Sequence, residues 1–224
     1  MIQKNILSTK TLLPQQKNIL SNAGLNVIEE DFIHVSHQNF FLRETPEILL
    51  FTSQNAVESV LKNENLHLLK KIPAICVGTK TKALLEKNHF KVLLSKNYAV
   101  ELAVHIKNYF NQRHFAFFSG SRRMETLPHT LSTNKIHFDE YQVYQTTLTP
   151  KTIHIEIHGI LFYSPSGVKS FLQKNHISDQ KCFCIGTTTA TALSGLSDQI
   201  WVSQEQTIES TLHKSLSYFK SIKC

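Results

Sequence analysis

Two stretches of this chain are alike: Phe51–Leu61, FTSQNAVESVL, and Phe162–Leu172, FYSPSGVKSFL, at an offset of 111 residues. Five of the eleven positions are identical: Phe51/Phe162, Ser53/Ser164, Val57/Val168, Ser59/Ser170 and Leu61/Leu172. The match returns one apolar run later, where Cys76–Leu85, CVGTKTKALL, aligns with Cys184–Leu193, CIGTTTATAL, at an offset of 108. There Cys76, Gly78, Thr79, Thr81 and Leu85 correspond to Cys184, Gly186, Thr187, Thr189 and Leu193. A fainter match pairs Leu7–Ser8 with Phe118–Ser119. Self-similarity at a fixed offset means one structural unit present twice, here of about 110 residues.

Outward from these motifs, short apolar runs alternate with helical periodicity. The runs are Asn5–Ser8, Asn26–Val35, Ile48–Thr52, Ala74–Val77, Lys91–Leu94, Phe115–Phe118, Phe138–Tyr144, Ile160–Tyr163, Cys182–Ile185 and Ile200–Val202. Helical spacing marks Ala56–Leu61, Lys80–Lys87, Val100–Phe110, Val168–Lys174 and Ile208–Phe219. Such alternation predicts an α/β protein with parallel sheets covered on both faces. Ten runs are too many for one small sheet, so two similar domains of five strands are expected. A plain tandem would divide near residue 112. An exchanged arrangement would join the first two strands to the last three.

The repeated motifs fall where strands lead into helices. In open parallel sheets, ligands bind beyond the carboxyl ends of the strands. Ser53 and Ser164 close one strand in each copy, and Gly78-Thr79-Lys80-Thr81 and Gly186-Thr187-Thr188-Thr189 close the next. Free N–H groups at a helix start, with neighbouring hydroxyls, suit carboxylates or phosphates. Helix capping accounts for the same residues: serine is a favoured N-cap, and Ser164-Pro165 sets proline at the first helical position. The two roles are compatible, because a capped helix still presents its remaining amides. Neither glycine motif has the spacing of a Walker loop or a dinucleotide fingerprint.

Lys and Arg number 24 against 17 Asp and Glu, for a formal charge of +7. That balance favours an anionic partner. No Lys/Arg run exceeds two residues and no aromatic-plus-basic RNA motif occurs, so a small polyanion is favoured over nucleic acid. With 41% apolar and 18% charged residues the composition is that of a globular protein. No stretch approaches the roughly 18 apolar residues of a membrane span. MIQKNILSTK lacks the pattern of a secretory signal. Cys76, Cys182, Cys184 and Cys224 fit neither paired bridges nor zinc spacing, so reduced thiols and a cytoplasmic location are expected.

Weaker candidates remain. His154, Glu156 and His158 alternate with Ile153, Ile155 and Ile157, which would set three metal-capable side chains on one strand face. A solvated polar face explains that pattern, and no metal site is expected. Cys184 continues an apolar strand and is read as core. Arg122 and Arg123 follow Ser119-Gly120-Ser121 at a strand end, where either a carboxylate contact or a solvated surface fits.

Taken together, the motifs resemble uroporphyrinogen-III synthase. The resemblance rests on YQVYQT (Tyr141–Thr146), LFYSPSGVKSFL (Leu161–Leu172) and CIGTTTATAL (Cys184–Leu193). FTSQNAV (Phe51–Val57), ICVGTKTKALL (Ile75–Leu85) and FFSGSRRMETLPHTL (Phe117–Leu131) precede them in the family's order. It extends over essentially the whole chain, and the six motifs in register are specific together. The resemblance implies two flavodoxin-like three-layer domains with parallel five-stranded sheets, strands exchanged between the repeats, joined by a two-stranded linker. Residues 1–35 and 149–224 would form one domain and 36–148 the other, with the active site in the cleft between them. It implies Tyr144 as the catalytic tyrosine. It implies Thr81, Thr188, Thr189, Ser164 and Ser166 as substrate-binding positions, and Ser53, Thr79, Gly167 and Thr187, at the same strand ends, are read as binding beside them. Family members often carry a basic residue where this chain has Met124, so Arg122 and Arg123 are candidates to replace it and are read as substrate-binding positions. Ser53-Gln54-Asn55 replaces the proline and arginine often found after the first serine.

The implied substrate is hydroxymethylbilane, a linear tetrapyrrole polycarboxylate that suits a basic protein. The implied enzyme is a cytoplasmic monomer without cofactor or metal, with no nucleic-acid or membrane partner. Loss of the terminal hydroxyl gives an azafulvene, the substituted carbon of the last pyrrole attacks to form a spiro intermediate, and re-closure leaves ring D inverted. The enzyme's part is positioning and proton help at the leaving hydroxyl. Tyrosines, with an ordinary pKa of about 10, are neutral donors at pH 7. Two other classes share some of these features: a non-catalytic two-domain module closing on an anionic metabolite, and a nucleic-acid binder whose affinity would fall steeply with salt.

Overall fold

A computed structural model of the protein describes residues 3–221. The chain begins with β1 (Asn5–Ser8), α1 (Pro14–Ser21), β2 (Asn26–Glu29) and β3 (Ile33–His37). There follow β4 (Ile48–Phe51), α2 (Gln54–Val60), α3 (Leu66–Leu69), β5 (Ala74–Val77), α4 (Thr79–Lys87) and β6 (Val92–Lys96). Next come α5 (Ala99–Tyr109), β7 (Phe115–Gly120), α6 (Thr126–Thr133) and β8 (Phe138–Leu148). The last part holds β9 (Gly159–Phe162), α7 (Pro165–Phe171), β10 (Lys181–Cys184), α8 (Thr187–Thr191), β11 (Ile200–Val202) and α9 (Ile208–Ser221).

Two compact units result, Met1–His34 with Thr147–Cys224, and Val35–Thr146. In the first, the sheet order is β11-β10-β9-β1-β2, and every pairing is parallel. In the second the order is β3-β8-β7-β4-β5-β6, with the pairs from β8 to β6 parallel. The protein is thus an α/β fold with parallel-dominated sheets.

Period-2 alternation divides each sheet's side chains between two cores. Leu49, Phe51, Cys76 and Phe118 join one cluster of the second unit, while Ile48, Leu50, Ile75 and Phe117 join the other. In the first unit Ile6, Leu161 and Phe183 lie in one cluster and Leu7, Ile160, Phe162 and Cys184 in the other. Central strands buried on both faces need continuous apolar runs, and β4 (ILLF) and β9 (GILF) are buried throughout. Each fully buried Leu or Phe contributes about 1.5–3 kcal/mol, so these strands anchor the loops that follow them.

The structure corrects three expectations. The run Asn26–Val35 is two strands, β2 in one sheet and β3 in the other. Asp31 breaks it by accepting bonds from Thr11 N and Oγ1 at 2.8 and 2.9 Å, and Phe32 turns in to pack on Phe171. The second sheet therefore has six strands among the described residues instead of five. The segment holding His154, Glu156 and His158 is irregular and not a strand. Asn5 holds it instead, donating from its backbone N to His158 Nδ1 at 3.2 Å and from its side chain to the Glu156 carbonyl at 2.8 Å.

Candidate active site

The second unit carries three of the motifs at the carboxyl ends of its strands and the fourth, Tyr141–Thr146, within β8. Ser53 follows β4 and is the N-cap of α2, its Oγ accepting from Ala56 N at 3.1 Å. The same Oγ donates to the Tyr144 hydroxyl at 3.0 Å. One oxygen thus serves both as the helix cap and as the donor to the phenol.

Tyr144 reaches Ser53 because of the strand next door. Along β7 and β8 the register runs Ser119↔Gln142 and then Gly120↔Tyr144, so β8 carries one extra residue, Val143. A bulge of this kind re-aims the side chain beside it. It sets Tyr144 over Gly120, where a Cβ would lie 2.1 Å from the tyrosine Cζ. Only glycine leaves room for the ring there. Ser121 N donates to the Tyr144 carbonyl at 3.1 Å and Ser121 Oγ accepts from Thr146 N at 3.0 Å, so the backbone is held on both sides of the tyrosine. Gly120 and the bulge are parts of the site that sequence reasoning missed. The SGS turn marked the place, but a bulge leaves no signal in a sequence.

The two arginines divide. Arg123 donates to both oxygens of Glu140, with Nη2 3.0 Å from Oε2, and also to Glu125. Ser119 Oγ donates to the same carboxylate at 2.6 Å. Burial would raise the Glu140 carboxyl, but the bonds from Arg123 and Ser119 outweigh it and hold the group below its usual range. The pairing likewise raises Arg123. Arg122 is exposed and spends only its Nε, on the Thr146 carbonyl at 3.1 Å.

The glycine–threonine loops sort by burial. Gly78 caps α4 at φ +89°, a left-handed conformation that strains any other residue. Gly186 caps α8 in extended backbone, so the second copy lacks that requirement. Thr81 and Thr189 are buried at 5% and 3% exposure, while Thr79, Thr187 and Thr188 are exposed. In the first unit Ser164 repeats the Ser53 cap, accepting from Gly167 N at 3.0 Å. Pro165 and half-buried Ser166 follow it. Gly167 is buried, and a Cβ there would meet Ser164 Oγ at 3.4 Å and Thr9 Oγ1 at 3.6 Å. Tyr163, beside the cap, accepts a long 3.4 Å bond from Ser8 Oγ, and burial pushes its phenol up.

Cys76, Cys182 and Cys184 are free and buried. Burial pushes the Cys182 and Cys184 thiols up to about 11 and about 12, which suits core and not nucleophiles. Cys224 lies outside the described residues.

A sequence model of the family described as uroporphyrinogen-III synthase HemD matches residues 15–213. The chain belongs to the uroporphyrinogen-III synthase family. Solved structures agree in fold. The uroporphyrinogen-III synthetase of Helicobacter pylori 26695 is 21% identical, with TM-score 0.73, over 97% of this chain and 100% of that one. A mutant uroporphyrinogen III synthase of the extreme thermophile Thermus thermophilus is 12% identical, with TM-score 0.69, over 97% and 99% of the two chains. No curated protein matches the chain in sequence. As a uroporphyrinogen-III synthase family member, the chain is an enzyme of haem biosynthesis with a tetrapyrrole substrate. Among the described residues no helix is long and apolar enough to cross a membrane.

Proposed function

We propose that Tyr144 assists the departure of the terminal hydroxyl of hydroxymethylbilane, and that the loops carrying the repeated motifs hold the substrate's carboxylates. The Ser53–Tyr144 hydrogen bond carries this reading. Ala56 N donates to Ser53 Oγ, and Ser53 Oγ donates to Tyr144 Oη, so a chain of donors ends on the phenol oxygen. Each bond in such a chain polarises the next. Donation to Oη stabilises the negative charge that grows there as the phenol proton passes to the leaving oxygen. The C–O bond breaks, water leaves and the azafulvene remains. The substituted carbon of the last pyrrole then attacks, and fragmentation and re-closure invert ring D. The proton then released from the last pyrrole restores the Tyr144 phenol, directly or through water, so the overall change is loss of one water.

Binding falls to the exposed groups. Arg122 keeps most of its guanidinium free for a carboxylate, whereas Arg123 is spent on Glu140 and Glu125. Thr79, Thr187 and Thr188, with half-buried Ser166, offer hydroxyls beside helix starts. Buried Thr81 and Thr189 shape those loops, and Gly167 follows the Ser164 cap. α8 is five residues long, so it offers free amides more than a helix dipole. The reading includes two flavodoxin-like domains with exchanged strands, 1–35 with 149–224 and 36–148. Membership of β1 and β2 in one sheet with β9, β10 and β11 supports it. It also has the enzyme working as a cytoplasmic monomer without cofactor or nucleic-acid partner.

The test is to supply freshly made hydroxymethylbilane, oxidise the products and separate the porphyrin isomers. The inverted isomer should predominate, at a rate proportional to enzyme. Only the uninverted isomer, at the rate of spontaneous closure, would overturn the reading.

A further inference from the structure

At the opposite end of the second sheet, another set of side chains converges. His114 and His137 immediately precede β7 and β8, whose register pairs Phe115 with Phe138. Phe115 N donates to the His137 carbonyl at 3.0 Å, and the two imidazoles stack with centroids 4.0 Å apart and planes 11° from parallel. Glu44, in the loop before β4, brings its carboxylate to them. One ligand atom from each of the three lies within 4.8 Å of the others. We propose that Glu44, His114 and His137 bind one divalent transition-metal ion, with Zn(II) as the representative case.

Four features support a site here. Neutral imidazole and carboxylate together form a donor set for zinc and its neighbours in the first row. Two ligands of a tetrahedral zinc stand about 3.4 Å apart, given bonds of about 2.1 Å, so small side-chain rotations close the triad. His114 is already oriented: its Nε2 lies 3.0 Å from Asp139 Oδ2, which leaves Nδ1 for the ion. A carboxylate on the remote nitrogen is the usual second partner of a metal-bound histidine. Asp139 is in turn fixed by Arg43, and the His114 backbone N donates to Glu47 at 3.0 Å.

The last feature is Glu44 itself. Arg43 beside it is committed to Asp139, and Arg113 to Glu47. Among the described residues Glu44 makes no ion pair, although its carboxylate comes within 4.8 Å of both stacked histidines. Glu44 and His137 are exposed, so an ion has a path in and room for water as a further ligand. β7 spans six residues, roughly 20 Å, between this cluster and Gly120 under Tyr144. The site is therefore separate from the candidate active site. Its effect would be to tie the Glu44 loop to the start of the two strands.

The test titrates Zn(II) into tag-free, chelator-stripped full-length protein against a chromophoric competitor. One equivalent should bind and raise the unfolding midpoint. His137→Asn and Glu44→Gln change exposed side chains, and each should weaken that equivalent about tenfold or more, as should Asp139→Asn. His154→Asn, elsewhere on the chain, should leave it unchanged. With Cu(II) as the probe, spin resonance should show coupling to two imidazole nitrogens, falling to one in His137→Asn. No bound equivalent, or the same affinity and nitrogen coupling in wild type and all three cluster variants, would overturn the proposal.

Discussion

Ser53 and Tyr144 lie 91 residues apart in the chain, yet Ser53 Oγ donates to the Tyr144 hydroxyl at 3.0 Å while accepting from Ala56 N. One serine thus joins the start of α2 to the phenol of a residue within β8. The helix cap and the phenol share that hydroxyl.

Tyr144→Phe keeps the ring over Gly120 and removes only the phenol. Turnover should fall about 10²–10⁴-fold, the usual contribution of a positioned proton donor. The unfolding free energy should drop by no more than about 0.5–1.5 kcal/mol, one hydrogen bond. The slow product should still be the inverted isomer, because inversion depends on how the bilane is folded. Wild-type turnover in the Phe variant would make Tyr144 a packing residue.

Gly120→Ala places a methyl 2.1 Å from the Tyr144 Cζ, so the ring must swing away. Overpacking of this kind costs about 1–3 kcal/mol, measurable by denaturant unfolding. Turnover should fall at least as far as in Tyr144→Phe, since the phenol is displaced along with the ring. Full activity in a folded Gly120→Ala protein would mean that the position of Tyr144 over Gly120 does not matter.

Thr188 and Thr189 should separate in kinetics. Thr188 is exposed and Thr189 is 3% exposed. Thr188→Ala should raise KM with kcat nearly unchanged, as expected for a group that binds substrate and transition state alike. Thr189→Val, nearly isosteric, should alter stability more than KM. Steady-state kinetics on both variants would show an opposite pattern if the buried hydroxyl were the one that touches substrate.

The Arg123–Glu140 pair sets an acid limit. Burial works against the Glu140 charge, but the bonds from Arg123 and Ser119 leave the carboxyl below its ordinary range. A carboxyl lowered on folding stabilises the protein above its unfolded value, near pH 4.3, and that contribution fades as pH falls through the lower folded value. Unfolding followed from pH 7 to pH 3 should show the loss in wild type. Glu140→Gln should be less stable at pH 7, by about 1–3 kcal/mol, and should lack this part of the acid decline. Parallel pH profiles for the two proteins would remove Glu140 from the account.

The class of fold was legible because it is written in local pattern. ILLF and GILF are apolar without interruption, as strands buried on both faces must be, and Ser-x-x at their ends caps helices in both copies. The break at Asp31–Phe32 was not legible. β propensity continues from Asn26 to Val35, and only the bonds of Asp31 to Thr11 and the seat for Phe32 against Phe171 turn the chain.

By itself, the sequence determined the duplication, the parallel α/β character, the excess of positive charge and the motifs that mark the family. Each is a matter of residue type at fixed spacing, and local propensity and burial translate spacing into strands and helices. The hydrophobic pattern left open whether β1 and β2 pair with the strands of the second repeat, since both partnerships satisfy it; the resemblance implied that pairing and the tertiary structure shows it. Tertiary structure alone assigned Arg123 to Glu140 and left Arg122 exposed, since identical side chains one residue apart differ only in what faces them. The bulge that aims Tyr144, and the meeting of Glu44 with His114 and His137, likewise depend on register between strands and on the path of a loop. Those are contacts between distant residues, and no window of sequence contains both partners.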